Sequence, residues 1–127
     1  MSTVKVDAVE PRTASSTITI GAAASNLTTL TSAATITIDF NNNNNFKVTL
    51  AHNAAFANPS NPTAGQTGSI FITQDGTGSR TASWGTSWDF IGGTAPTLTT
   101  TAAGVDRIDY VILDATNIQA VATLAYS

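Results

Sequence analysis

Thr35-Ile36-Thr37-Ile38-Asp39-Phe40 runs into five asparagines, Asn41 to Asn45, and then into Phe46-Lys47-Val48-Thr49-Leu50. Ile36, Ile38 and Phe40 alternate with polar neighbours, and so do Phe46, Val48 and Leu50. Successive side chains of a strand point to opposite faces, so each run gathers its apolar residues on one side. Thr, Ile and Val are stiff at χ1 and suit a pleated surface. Asn tolerates left-handed backbone, so the asparagine run reads as a hairpin loop between two strands.

The same alternation spreads outward in both directions. Thr17-Ile18-Thr19-Ile20 repeats the opening of the stretch eighteen residues earlier. The repeat occurs only twice and reads as two similar strands, not as a solenoid. Ile70 and Ile72 continue the pattern, then Ile108, Tyr110 and Ile112, and finally Ile118, Ala120, Ala122, Leu124 and Tyr126. Asp75-Gly76-Thr77-Gly78 reads as a hairpin turn joining Ile70–Gln74 to Arg80–Trp84. Asn58-Pro59-Ser60-Asn61-Pro62 is irregular, because each proline lacks a donor and restricts its predecessor. Gly92 to Pro96 is a further loop, and Asp114 to Asn117 turns the last hairpin. No window supports a long helix; Ala22 to Ala24 allows one turn at most. Seven to nine short strands predict an all-β fold, an antiparallel β-sandwich or jelly roll. Without a linker the chain is one domain over residues 1–127, with residues 1–12 as a candidate N-terminal arm.

Composition narrows the function classes. The chain has 127 residues, of which 10% are charged, against roughly 25% in an average soluble protein. Their place is taken by 23 Thr, 11 Ser, 10 Asn and 20 Ala. The net charge is −3, and Lys5, Arg12, Lys47, Arg80 and Arg107 form no basic stripe. Nucleic-acid binding needs clustered cations and is not expected. No apolar run approaches ~20 residues, so no membrane partner is expected either. The absence of cysteine excludes a disulfide framework and thiolate metal sites. The first residues lack an apolar signal core, which predicts synthesis in a host cytoplasm without export by the usual route. The strands carry few of the charges that normally guard exposed edges. Coverage by neighbouring subunits is the expected remedy, in a symmetric oligomer or on a larger assembly.

Chemistry-bearing residues are few. His52 is the only histidine, no Gly-x-Ser-x-Gly elbow accompanies it, and it reads as a loop or strand-end residue. Zinc catalysis typically needs three protein ligands, and no metal or other cofactor is expected. Asp106 and Asp109 fall on opposite faces of an extended strand. Asn41 to Asn45 and Asp75 could offer oxygens to calcium, but the loop spacing of a calcium site is missing and turn formation accounts for both loops. The single glutamate, Glu10, lies in the arm, which leaves paired-carboxylate glycoside hydrolysis poorly supplied. No catalytic set is predicted, and the chain is not expected to be an enzyme. Trp84 and Trp88 are the most suggestive pair. On one extended strand they would face the same way, roughly 13 Å apart, as a platform for sugar rings. Gly85 between them favours a bend or bulge. Core packing, an intersubunit contact and glycan stacking all remain open for the two indoles.

From about Phe46 onward the chain resembles a module of tailed-bacteriophage virion proteins, found in small capsid-associated proteins and at the ends of fibre proteins. The resemblance is carried by Asn61-Pro62-Thr63-Ala64-Gly65-Gln66-Thr67-Gly68-Ser69-Ile70, Ile72-Thr73-Gln74-Asp75-Gly76-Thr77-Gly78-Ser79-Arg80 and Ser83-Trp84-Gly85. It resumes at Phe90-Ile91-Gly92-Gly93-Thr94-Ala95-Pro96-Thr97-Leu98 and Val105-Asp106-Arg107-Ile108-Asp109-Tyr110. It covers roughly two-thirds of the chain, and residues 1–45 lie outside it. It implies a β-rich, non-enzymatic structural protein that forms a homotrimer; a Thr-rich domain of low charge with no catalytic set suits the capsid exterior of a virion. With only about 45 residues ahead of the module there is no room for a fibre shaft. The expectation is therefore a capsid decoration, or cement, protein whose partners are the major capsid protein and copies of itself. Threefold symmetry would match local threefold points of an icosahedral lattice. Val4, Val6 and Val9 in the arm are the candidate capsid contacts, by strand addition to a capsid edge. The alternative is a tail-fibre or head-fibre tip that binds a host receptor or glycan through Trp84 and Trp88.

Overall fold

The computed structural model describes Asp7 and residues 21–127. The expected strand at residues 17–20, the candidate arm with Val4, Val6 and Val9, and Glu10 lie outside the described residues.

The described chain is all-β. Nine strands form: β1 (Leu27–Thr29), β2 (Thr35–Ile36), β3 (Asn45–Leu50), β4 (Ala54–Phe56), β5 (Thr67–Gln74), β6 (Ala82–Trp84), β7 (Trp88–Phe90), β8 (Val105–Asp114) and β9 (Asn117–Tyr126). They make a six-stranded sheet in the order β1-β3-β5-β8-β9-β7 and a three-stranded sheet in the order β2-β4-β6. The first six strands alternate between the two sheets, and from β3 to β6 each pairs in parallel with the strand two before it. The chain thus winds as a coil with three rungs on each side. A parallel bridge between Asp39 and Ser60 stitches two rungs at a corner.

The coil ends in antiparallel structure. β8 pairs with β5, and β9 returns along β8. β7 then adds in parallel to the outside of β9. Only three residues separate β6 from β7, so the far edge of the large sheet is drawn round to the end of the small one.

The expected antiparallel sandwich or jelly roll therefore gives way to mixed, parallel-rich sheets. Period-two alternation reports which face of a strand is buried and carries no information about strand direction. Neither the asparagine run nor Asp75 to Gly78 makes a hairpin. β3 follows the asparagines in the other sheet from β2, and β6 follows Gly78 in the other sheet from β5, so both loops are corners. Asp114 to Asn117 does turn the β8–β9 hairpin. The solenoid rejected from sequence is the real arrangement of the first six strands. Its rungs are unequal: Leu27 faces Asn45, eighteen residues on, whereas Ala54 faces Ala82, twenty-eight residues on. Uneven corners hide the repeat.

Both sheets contribute to one core. Ile36 and Phe56 of the small sheet pack with Phe46, Val48, Leu50, Ile70, Ile72, Ile108, Ile112 and Ile118 of the large one, all buried. Among the described residues, the expected apolar alternations from Ile36 to Ala120 point inward. The last two positions do not. Leu124 and Tyr126 are exposed, because the β8–β9 register shifts between Arg107 and Val105 and Ala125 takes a positive φ of 63°. A bulge of this kind turns the following side chains to the other face.

Asparagine and glutamine side chains hold the corners by bonding the backbone of an adjacent rung. Asn45 Oδ1 accepts from the Ser69 amide at 3.0 Å, and Asn53 Oδ1 from the Thr81 amide at 3.0 Å. Asn58 Oδ1 accepts from Ser87 N at 2.8 Å while its Nδ2 donates to Thr86 Oγ1. Gln66 Nε2 donates to the carbonyls of Phe40 and Asn43. Corners leave backbone groups outside the ladders, and a buried unpaired group costs roughly 1–3 kcal/mol. Short amides that donate and accept meet this need without charge.

Candidate functional site

Trp88 is buried in the core and Trp84 packs half-buried against it. β6 ends at Trp84 and β7 begins at Trp88, with a turn at Gly85 in which Trp88 N donates to Gly85 O at 3.1 Å. The bend expected from Gly85 is present, and a Cβ there would lie 2.3 Å from Asn58 Oδ1. Trp84 stacks on Phe56 with ring centroids 4.5 Å apart, one rung above it. Trp88 is 6% exposed, and its Nε1 donates to Ala57 O at 3.1 Å. The rings meet edge-on at 5.2 Å. Phe40, Phe46 and Tyr110 extend this aromatic cluster, and the Tyr110 hydroxyl donates to Asn44 O at 2.6 Å. Burial pushes the Tyr110 phenol well above its ordinary pKa. The hydroxyl stays protonated and serves as a structural donor.

The aspartates go to turns and to backbone amides. Asp75 accepts from Thr77 N and Gly78 N and pairs with Arg80 at 2.7 Å. The Arg80 hydrogen bond, with help from those amides, holds its carboxyl below the usual carboxylate range. Asp114 accepts from Thr116 N and Asn117 Nδ2, which lower it likewise. Asp106 is 2% exposed and accepts from Thr99 N at 2.7 Å and Ala125 N at 2.9 Å. It ties the loop after β7 to the end of β9. Asp109 is on the opposite face, as expected, paired with Arg107 at 3.0 Å. His52 sits at an exposed corner with Nδ1 3.2 Å from Ser32 Oγ. Among the described residues no three of His, Asp or Glu converge as metal ligands.

What remains conspicuous is the outer face of the β8–β9 hairpin. Val111 is 50% exposed, Leu113 59% and Val121 46%, and Ile91 beside them is 82% exposed. Ile91, Val111, Gln119 and Val121 line one shallow hollow of about 290 Å³. Arg107 and Asp109 on the same face neutralise each other, and the Arg107 guanidinium lies 5.3 Å from the Tyr126 ring centroid. Next to this patch β7 is an edge strand of three residues. Sequence reasoning passed over these aliphatics. Their signal was the run Tyr110-Val111-Ile112-Leu113, which is apolar on both phases of the alternation and so cannot be buried on one face alone.

No protein-family model, curated protein or solved structure matches this chain.

Proposed function

We propose that this chain is a structural protein of a bacteriophage virion: a capsid decoration protein that associates with copies of itself and binds the outer shell between capsid subunits. Three features support the reading. The sequence words from Asn61 to Tyr110 resemble the virion module described above. The β1, β2, β6 and β7 edges are unpaired among the described residues, with Lys47 the nearest strand cation to β1. The hairpin presents Val111, Leu113 and Val121 to solvent.

The last observation carries the most weight. Exposed aliphatics grouped on a flat strand face are what a subunit contact buries, at roughly 25 cal/mol per Å² of apolar surface removed from water. The mechanism is passive. A protein that binds assembled shell in preference to free subunits shifts the equilibrium toward shell by mass action. Trp88 is buried and Trp84 half-buried against the core, so the glycan-stacking reading has no exposed indole pair to rest on.

Antibody labelling of purified particles tests the reading. Label spread over the head is the expected result, together with shells that break at lower temperature when the chain is omitted. Label confined to a fibre tip would replace decoration with the fibre reading, and unlabelled particles would overturn both.

A further inference from the structure

Strand alternation places a charge toward each flank of the outer face of the large sheet. In β3 Phe46 and Val48 are buried and Lys47 between them is exposed. In β7 Trp88 is buried and Asp89 is exposed. Residues directly opposite each other on paired strands share a face. Lys47 lies in one row with Phe71, Arg107 and Thr123, and Asp89 in one row with Gln119 and Val111. Both charges therefore stand on the face that presents Val111 and Val121 to solvent.

The two flanks cannot reach each other within one chain. β3 and β7 are four strand spacings apart in the sheet, about 19 Å, and the two rows are about 14 Å apart along the strands. Between them the hairpin needs no counter-charge, since Arg107 and Asp109 pair with each other at 3.0 Å. The face is thus a neutral aliphatic centre with a cation toward one side and an anion toward the other. A partner carrying charge of one sign would satisfy one flank and repel the other. A second copy of this chain offers the same face, and rotation about a symmetry axis brings its β7 flank to the β3 flank of its neighbour.

We propose that Lys47 of one copy pairs with Asp89 of the next, and that this charge pair sets the register in which the faces bearing Val111 and Val121 associate. The pairing rests on the self-association proposed above and fixes its geometry. Each copy has one Lys47 flank and one Asp89 flank, so the contacts run head to tail and close into a ring under a threefold rotation. An exposed ion pair adds little affinity, but like charges in the same place exclude a wrong register.

Charge reversal and exchange in the full chain test the pairing, read by light scattering across a dilution series. Lys47→Glu and Asp89→Lys each give the two flanks the same sign. Either one should raise the concentration of half-association by about tenfold or more at low salt. Lys47→Glu combined with Asp89→Lys exchanges the charges and should restore that concentration to within about threefold of the native value. Both side chains are exposed, so far-UV circular dichroism of every variant should match the parent. High salt should bring the single variants toward the native value, because it screens exposed charges. A defect that salt leaves unchanged would be structural and would overturn the pairing. Single reversals that associate like the native chain, or a double exchange as weak as either single variant, would overturn it while leaving self-association in place. A native chain that is solitary at every concentration would remove self-association itself, and the pairing with it.

Discussion

At the residue scale the tightest constraint is Gly68 in β5. A Cβ there would lie 1.9 Å from Asn44 O and 2.8 Å from the Tyr110 hydroxyl, which itself donates to that carbonyl. Relief requires moving backbone, since Asn44 anchors a corner. Gly68→Ala is expected to destabilise the fold by about 1–3 kcal/mol, the range for overpacked interiors, read as a lower Tm. An unchanged Tm would mean that the corner gives way freely. Asp75 makes a second prediction, on acidity. Its folded carboxyl lies below its unfolded value because Arg80 and the Gly78 and Thr77 amides favour the charged form. A depressed carboxylate contributes stability above its unfolded pKa and loses it as pH falls through the folded one. Urea midpoints should therefore hold from neutrality down to about pH 5 and drop below about pH 4. Asp75→Asn should lower the neutral plateau and shallow that drop. A variant curve parallel to the parent's would show that the pair is inert.

At the element scale the rungs are defined by their corners more than by their strands. Gln74 is 3% exposed at the end of β5, where its Oε1 accepts from Arg80 N at 2.8 Å and its Nε2 donates to Arg80 O at 2.9 Å. The side chain imitates a strand neighbour across the corner. Gln74→Ala leaves both groups without that partner and should cost about 1–3 kcal/mol in urea unfolding. A smaller loss would mean that water reaches the vacated position. The same corners explain which features were legible in the sequence. Burial was legible: Ile36, Phe46, Ile70, Ile108 and Ile118 face inward because strand alternation is a local property. Pairing was not. β2 and β4 are two and three residues long, too short to print a periodicity, and their partners are set by corners of unequal length. The outer hairpin face was half legible, since Val111 and Leu113 broke the alternation without revealing what would cover them.

At the scale of the whole molecule, coil and hairpin divide the work. At the C-terminal end of the coil the large sheet continues, as β8 takes the free side of β5 and β9 and β7 extend it, while β6 is left as an edge of the small sheet. That end has β7 and β6 as short edges, and the β8–β9 hairpin beside β7 carries Val111 and Leu113 outward. Association through this face asks for no charge from the partner, because Arg107 and Asp109 already satisfy each other. Copies of the same surface gathered about one threefold axis meet that condition, which is why self-association is the whole-molecule prediction. The native chain should scatter light as a trimer at micromolar concentration. Val111→Asp combined with Leu113→Asp should reduce it to single chains by placing uncompensated carboxylates in the contact. Both side chains point away from the core, so far-UV circular dichroism should stay as in the parent. A variant that remains trimeric would move the contact elsewhere on the molecule, and a native chain that is already solitary would remove self-association from the proposed function.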